Sequence, residues 1–313
     1  MSHRWGMDAV HKHIATCGLV FLSVGVALWP AAIDAAQDSK VPDLGSAGYG
    51  WFSVGDDLLR PASGPGPVVS DPAHPYQSNT SGKQPSYRIA DVTNPVLKPW
   101  VADQLKQTNA RTLSGKAPFN ARERCWPAGV PGFEVFTLIR PVYFLQTPAE
   151  VVIINEGDNQ VRHVRLNVPH SKNPKPSWYG ESVGHYENGD TLVVDTIGLN
   201  DKTYIDNYLT PHTAQLHVVE RFKLSEGGAY HPSATTAEDA PRFQPTEGGK
   251  TLEVTITVDD PGAFNRVWSA VQIYRLEKQG DWDETICAEN NDAPHFAYEK
   301  EVVPIPQADR PDF

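Results

Sequence analysis

The sequence predicts a mainly β protein, built as an antiparallel up-and-down β-barrel or a strongly curved sheet, with one N-terminal amphipathic helix and an irregular N-terminal arm. Three observations lead there. From Phe133 onward apolar residues recur with a period of two, most strictly in Thr251-Leu-Glu-Val-Thr-Ile-Thr-Val258, where Leu252, Val254, Ile256 and Val258 share one face. The segments are joined mostly by short connections carrying turn residues, and no strand–helix alternation announces a parallel α/β sheet. The chain holds only 2 Met against 27 Pro and 24 Gly, a composition suited to a loop-rich β protein.

The elements follow in order. Arg4 and Lys12 precede an uncharged run from Ile14 to Ala32 and the small residues Ala35 and Ala36. A basic start, an apolar stretch and small residues describe a secretory signal peptide over residues 1–36, with an uncleaved single-span anchor as the alternative. Nothing later is apolar enough to span a membrane, so the expected location is periplasmic or secreted. Residues 37–93, rich in Gly, Pro, Ser and Asp, form an arm for which no regular structure is expected. The domain proper, residues 94–313, opens with a helix: Asn94 can cap it, Pro95 or Pro99 can sit in its first turn, and Gly115 can end it. Leu97, Trp100, Val101 and Leu105 fall at helical spacing.

Strands then run over 133–146, 150–155, 161–167, 183–187, 191–196, 216–224, 251–259, 267–276 and 283–288. Asn188-Gly189 marks a type I′ hairpin between two of them. Residues 225–250 read as a polar insertion at one loop.

After removal of the leader, about 277 residues remain, enough for one large β domain or two small ones. The net charge of -11, with no Lys/Arg cluster, argues against nucleic acid or an anionic membrane surface as partner. Cys125 and Cys287 are the cysteines left. In an exported protein they form one disulfide closing a loop of about 160 residues, with two buried free thiols as the alternative. No C-x-x-C and no nearby His suggests a metal or redox role for them.

Three blocks carry a resemblance: Trp178-Tyr-Gly-Glu-Ser-Val-Gly184, Gly189-Asp-Thr-Leu-Val-Val-Asp-Thr196 and Pro211-His-Thr-Ala-Gln-Leu-His-Val-Val-Glu-Arg221. They resemble the W-x-G-x-S-x-G, G-D-T-L-V-V-D-T and P-H-[ST]-x-x-L-H-V-x-E-R signature of a family of exported, functionally uncharacterised bacterial proteins, over residues 94–291. The 184–189 turn is longer than in many relatives, which sets His185 apart from the family pattern. The resemblance implies a calycin-like barrel and no particular activity, so chemistry must be read from the residues.

Four constellations stand out. If 216–224 is a strand, Leu216, Val218, Glu220, Phe222 and Leu224 share the buried face. Glu220 is then a carboxylate among hydrophobes, a candidate general acid or base. The structural alternative is an ion pair with Arg140, Arg162 or Arg165. Asp206 lies in the loop from Asn200 to Pro211 and His212 directly after it, at one mouth of the barrel, where a carboxylate could orient a proton-shuttling histidine; a plain loop-to-strand junction explains them equally well. Asp195, near the end of its strand, is a reserve carboxylate. A metal could draw on His163, His170, His212, His217 and Glu220, but no helical H-x-x-x-H pair occurs and His217 faces away from Glu220, so no metal is expected. Among many aromatics, Trp178 and Tyr179 are the most ligand-like, and Tyr204 and Tyr208 join them as candidate substrate contacts; ordinary packing accounts for most of the remainder.

Ser182 matches G-x-S-x-G in letters but leads into a strand, which fails the hydrolase-elbow context. No phosphate loop or dinucleotide fingerprint occurs, so no cofactor is expected. The expected protein is an exported barrel binding a small apolar or aromatic molecule. It either transforms that molecule by cofactor-free acid–base chemistry through Glu220, His212, Asp206 and Asp195, as a lyase, isomerase or hydrolase, or carries it as lipocalins do. An enzyme requires Glu220 and His212 to converge; a carrier leaves them bound to other protein groups.

Overall fold

The computed structural model describes residues 41–45, 48–55, 57–76, 88–116, 125–134, 140–226, 249–278, 284 and 286–287. The expected signal peptide, most of the polar insertion and much of the last expected strand lie outside them. Nine strands close into one barrel in sequence order: β1 (Tyr49–Ser53), β2 (Val142–Gln146), β3 (Glu150–Asn155), β4 (Gln160–Leu166), β5 (Glu181–Glu187), β6 (Thr191–Ile197), β7 (His217–Glu226), β8 (Lys250–Asp259) and β9 (Trp268–Lys278).

Every neighbouring pair is antiparallel except β4–β5, which is parallel, Val164 opposite Ser182 and Leu166 opposite Gly184. The expected antiparallel meander therefore breaks at one seam, and counting explains why. Strands that alternate in direction can close on themselves only in even number, so nine need one parallel contact. The connection 167–180 supplies it by running back along the barrel wall before β5 begins. Gly184 suits the seam, because a Cβ there would stand 2.7 Å from Val193 O and 2.8 Å from Val164 Cγ1.

Two elements differ from expectation at their ends. The arm contributes β1, which pairs with β9 over five positions and delivers Trp51 to the core. The helix, α1 (Pro99–Leu113), starts later than expected. Asn94 does not cap it: its side chain accepts Val96 N–H and donates to the Gly66 and Pro67 carbonyls, tying a turn to the arm. Pro99 opens the helix, and Gly115 follows its end at φ 80°. The Asn188-Gly189 turn has φ 54° and 74°, as a type I′ hairpin requires.

Both ends of the barrel are covered. At the end where β4 and β5 begin, Lys98 N–H donates to Ala263 O (3.0 Å) and Trp100 Nε1 to Gly262 O (2.9 Å), fixing α1 to the β8–β9 connection. At the other end, residues 41–45 lie across the opening. There Leu44 N–H donates to Gln146 Oε1 (2.9 Å), and Gln146 Nε2 donates to Pro42 O (3.0 Å) and Tyr186 Oη (2.9 Å). Between them Trp51, Phe144, Ile153, Leu192, Phe222 and Leu252 are buried, with Phe144 and Phe222 edge-to-face at 5.6 Å. Each such side chain contributes about 1.5–3 kcal/mol by leaving water. Among the described residues no helix is long and apolar enough to cross a membrane.

Candidate functional site

The strand alternation read from the sequence holds in β7: Leu216, Val218, Glu220, Phe222 and Leu224 are all buried, and Glu220 is fully enclosed. Its carboxylate accepts two charge-assisted bonds from Arg162 of β4, Nη1 to Oε1 at 3.0 Å and Nη2 to Oε2 at 2.6 Å. Strands β4 and β7 are not neighbours, so the pair meets across the lumen. The bidentate fork satisfies the carboxylate in the geometry a guanidinium matches best. The guanidinium carbon of Arg162 also stands 5.2 Å from the Phe133 ring centroid. Of the three arginines considered, Arg162 is the partner. Arg140 goes instead to the buried Glu156 (3.5 Å), which also accepts the Tyr143 hydroxyl (2.9 Å), and Arg165 goes to Glu181 (3.0 Å).

Asp206 and His212 are close in sequence yet serve different partners. Asp206, buried, accepts Tyr208 N–H (3.0 Å), Thr210 N–H (3.2 Å) and the Thr210 hydroxyl (2.8 Å), and so organises the 206–210 turn in which Leu209 takes φ 62°. Burial outweighs these bonds and pushes its carboxyl up to about 6. His212 is also buried. Its Nδ1–H donates to Thr213 O (3.0 Å), which leaves Nε2 to accept the Thr203 hydroxyl (2.8 Å); burial pulls its pKa down and keeps the ring neutral. Both ring nitrogens are therefore committed to protein. Asp260 steadies the same junction by accepting Thr213 N–H (2.6 Å) and the Thr213 hydroxyl (2.7 Å).

Tyr208 turns toward the arm. Its hydroxyl meets Ser70 Oγ at 2.9 Å and Asp57 Oδ2 at 3.4 Å, while Asp57 pairs with Arg88 at 2.6 Å. Burial and the nearby Asp57 charge raise the phenol pKa. Burial raises that of Tyr204 too, and Tyr204 bridges to Pro211.

Trp178 and Tyr179, by contrast, form the rim of the barrel end where β4 begins. Trp178 is half-buried against Trp126 (centroids 5.4 Å, tilted 57°), and Lys202 Nζ stands 5.7 Å from its ring. Tyr179 packs edge-on against Phe133 (6.0 Å) and donates to Gln160 Oε1, which also accepts Ala128 N–H (3.0 Å). Gln160 and Arg162 project from the same face of β4. The aromatic rim thus leads inward, through Phe133, to the Arg162–Glu220 pair. The Cys125 and Cys287 sulfurs lie at bonding distance, 2.18 Å, beside this rim segment.

The outer wall carries the remaining constellation. Asp195 of β6 and His217 of β7 point outward, and His170 of the 167–180 connection lies over them. His170 Nε2 is 2.9 Å and His217 Nε2 2.8 Å from the same oxygen, Asp195 Oδ1. Glu181 backs His170, its Oε1 lying 3.2 Å from His170 Nδ1 while accepting Ser171 N–H at 2.6 Å; that backbone bond holds the Glu181 carboxyl below its usual range. Side-chain exposures of 21% for His170 and 38% for Asp195 and His217 leave the group open to water. His163 is elsewhere, paired with Glu150 at 2.7 Å, as His185 is with Glu187 at 2.8 Å. So of the five groups weighed for a metal, only His170 and His217 come together, and they do so on Asp195. Glu181 and Gln160 carry no distinguishing mark in the sequence; only the parallel seam and the crossover bring them into play.

Comparison of the chain with family models, with curated proteins and with solved structures finds no match.

Proposed function

We propose that this protein is an exported carrier of small apolar or aromatic molecules, received at the rim formed by Trp126, Trp178 and Tyr179. The observation that carries the reading is where the acid–base groups go. Glu220, His212 and Asp206 are each buried and bonded to other protein groups, and the half-exposed aromatics are gathered at one barrel end. Aromatic walls suit an apolar ligand, and Trp126, Trp178 and Tyr179 supply such a wall at the rim. The resemblance to exported bacterial proteins and the expected leader agree with a periplasmic or secreted carrier.

A second reading is an acid–base enzyme that works on the outer wall, favoured by His170, Asp195 and His217 meeting at a solvent-accessible point. Native mass spectrometry of the protein taken from the cells that make it separates the two. A carrier retains an organic molecule that denaturation releases unchanged, and Trp178→Ala loses it while the circular dichroism spectrum is kept. Retention undiminished in Trp178→Ala counts against the rim. Chemical conversion of the molecule by the wild type, lost in Asp195→Asn, establishes the enzyme instead.

A further inference from the structure

We infer that the indole N–H of Trp268 is a binding group of the barrel interior, which donates a hydrogen bond to an uncharged carbonyl oxygen on an otherwise apolar ligand. The inference rests on the carrier reading and adds to it the chemistry of the molecule carried.

Trp268 opens β9, at the barrel end where β4 and β5 also begin, the end that bears Trp178 and Tyr179. The register places its side chain. Trp268 lies opposite Val258, Val258 opposite Val218, Val218 opposite Thr196, and Thr196 opposite Ser182. All five are buried, and they share the inward face that strand alternation gives to Val218 and Val258. One layer deeper the series runs through Ala270, Ile256, Glu220, Val194 and Gly184. Trp268 thus stands one layer nearer the aromatic rim than the Arg162–Glu220 pair.

Its polar atom sets it apart. Trp268 is 2% exposed, and its Nε1 meets no acceptor among the described residues. An indole N–H is a donor only, and when buried it ordinarily finds a partner. The chain follows that rule elsewhere: Trp51 Nε1 donates to Leu44 O and Trp100 Nε1 to Gly262 O, each at 2.9 Å. In the same layer as Trp268, Ser182 Oγ and Thr196 Oγ1 bond one another at 2.8 Å. Phe264 lies perpendicular to the indole with centroids 5.5 Å apart, and a ring face is a weak acceptor at best. A buried donor without an acceptor is costly, so its retention calls for something that brings one. A molecule entering past Trp178 sheds its water, and a carbonyl on it then needs the bond that Trp268 offers. The neighbouring Val218, Val258 and Ala270 suit the apolar remainder, and a neutral indole does nothing to offset the desolvation of a charge.

The test uses two probes of nearly the same shape, methyl naphthyl ketone and isopropenylnaphthalene, of which only the first carries an acceptor. Calorimetry measures each against the full chain. Trp268→Phe should weaken the ketone about 10-fold and the hydrocarbon less than about 2-fold, as loss of one neutral hydrogen bond requires. Near-ultraviolet circular dichroism checks that the variant is folded. In the wild type the assigned indole proton resonance of Trp268 should move downfield with the ketone and not with the hydrocarbon, a readout that needs no variant. An equal change for both probes in Trp268→Phe, or no downfield movement with bound ketone, overturns the inference; if Trp178→Ala still abolishes binding of both, the carrier reading survives it. Binding of neither probe by the wild type overturns the carrier reading and this inference with it.

Discussion

Two faces of the same strand pair behave in opposite ways. Val194 of β6 lies opposite Glu220 of β7 and points into the barrel; the next residue, Asp195, lies opposite Val219 and points out. Inside, Glu220 is fully enclosed and locked to Arg162 by two bonds. Outside, Asp195 is 38% exposed and gathers two histidines on one oxygen. The inner carboxylate has given up water and depends wholly on one guanidinium, so it specifies the barrel. The outer one keeps contact with water and shares one oxygen between two histidines.

The inner face should break hardest. Removing one partner of a buried pair leaves an uncompensated charge, so Arg162→Met alone should cost about 3–5 kcal/mol in urea unfolding. The double variant Arg162→Met with Glu220→Leu should recover most of that loss, since well-packed apolar replacements of a buried pair are often neutral. A double variant as unstable as the single one would mean the pair contributes more than mutual neutralisation.

The buried Asp206 sharpens the comparison through pH. Its carboxyl titrates at about 6 in the folded protein, above the value of about 3.9 in an unfolded chain. The folded state thus holds the proton more tightly. The contribution is fully present below about pH 4 and is lost as pH rises through about 6, an effect on the order of 3 kcal/mol. Asp206→Asn should remove that part of the slope and match or exceed wild-type stability at pH 7.5. An unchanged slope in the variant would place the pH dependence elsewhere.

How far the sequence could be read depends on whether a feature is local. Period-two alternation around Glu220 identified its face, and the short roll of nearby arginines contained its partner. Asn188-Gly189 identified a hairpin from two residues. β1 escaped because Tyr49-Gly-Trp-Phe-Ser53 is short and sits in a Gly- and Pro-rich arm. Its Gly50 is needed for close approach, since a Cβ would fall 2.4 Å from Pro141 Cβ. The parallel seam escaped because the 167–180 connection has no helix to announce a crossover. That seam is what carries His170 to Asp195, 25 residues on, and beside His217. Asp206 and His212 show the reverse error: nearness in sequence suggested a dyad, and the 206–210 turn sends the two side chains to different partners.

The most direct test compares two residues of one strand, three positions apart. Urea unfolding of Glu220→Gln and His217→Gln, run side by side in metal-free buffer at pH 7.5, measures what each face contributes. Loss of an inward buried charge should cost about 3 kcal/mol or more, and loss of the outward, partly exposed His217 less than about 1 kcal/mol. Equal losses, or a larger one for His217→Gln, would contradict the division between an inner face built on a buried ion pair and a water-exposed outer wall.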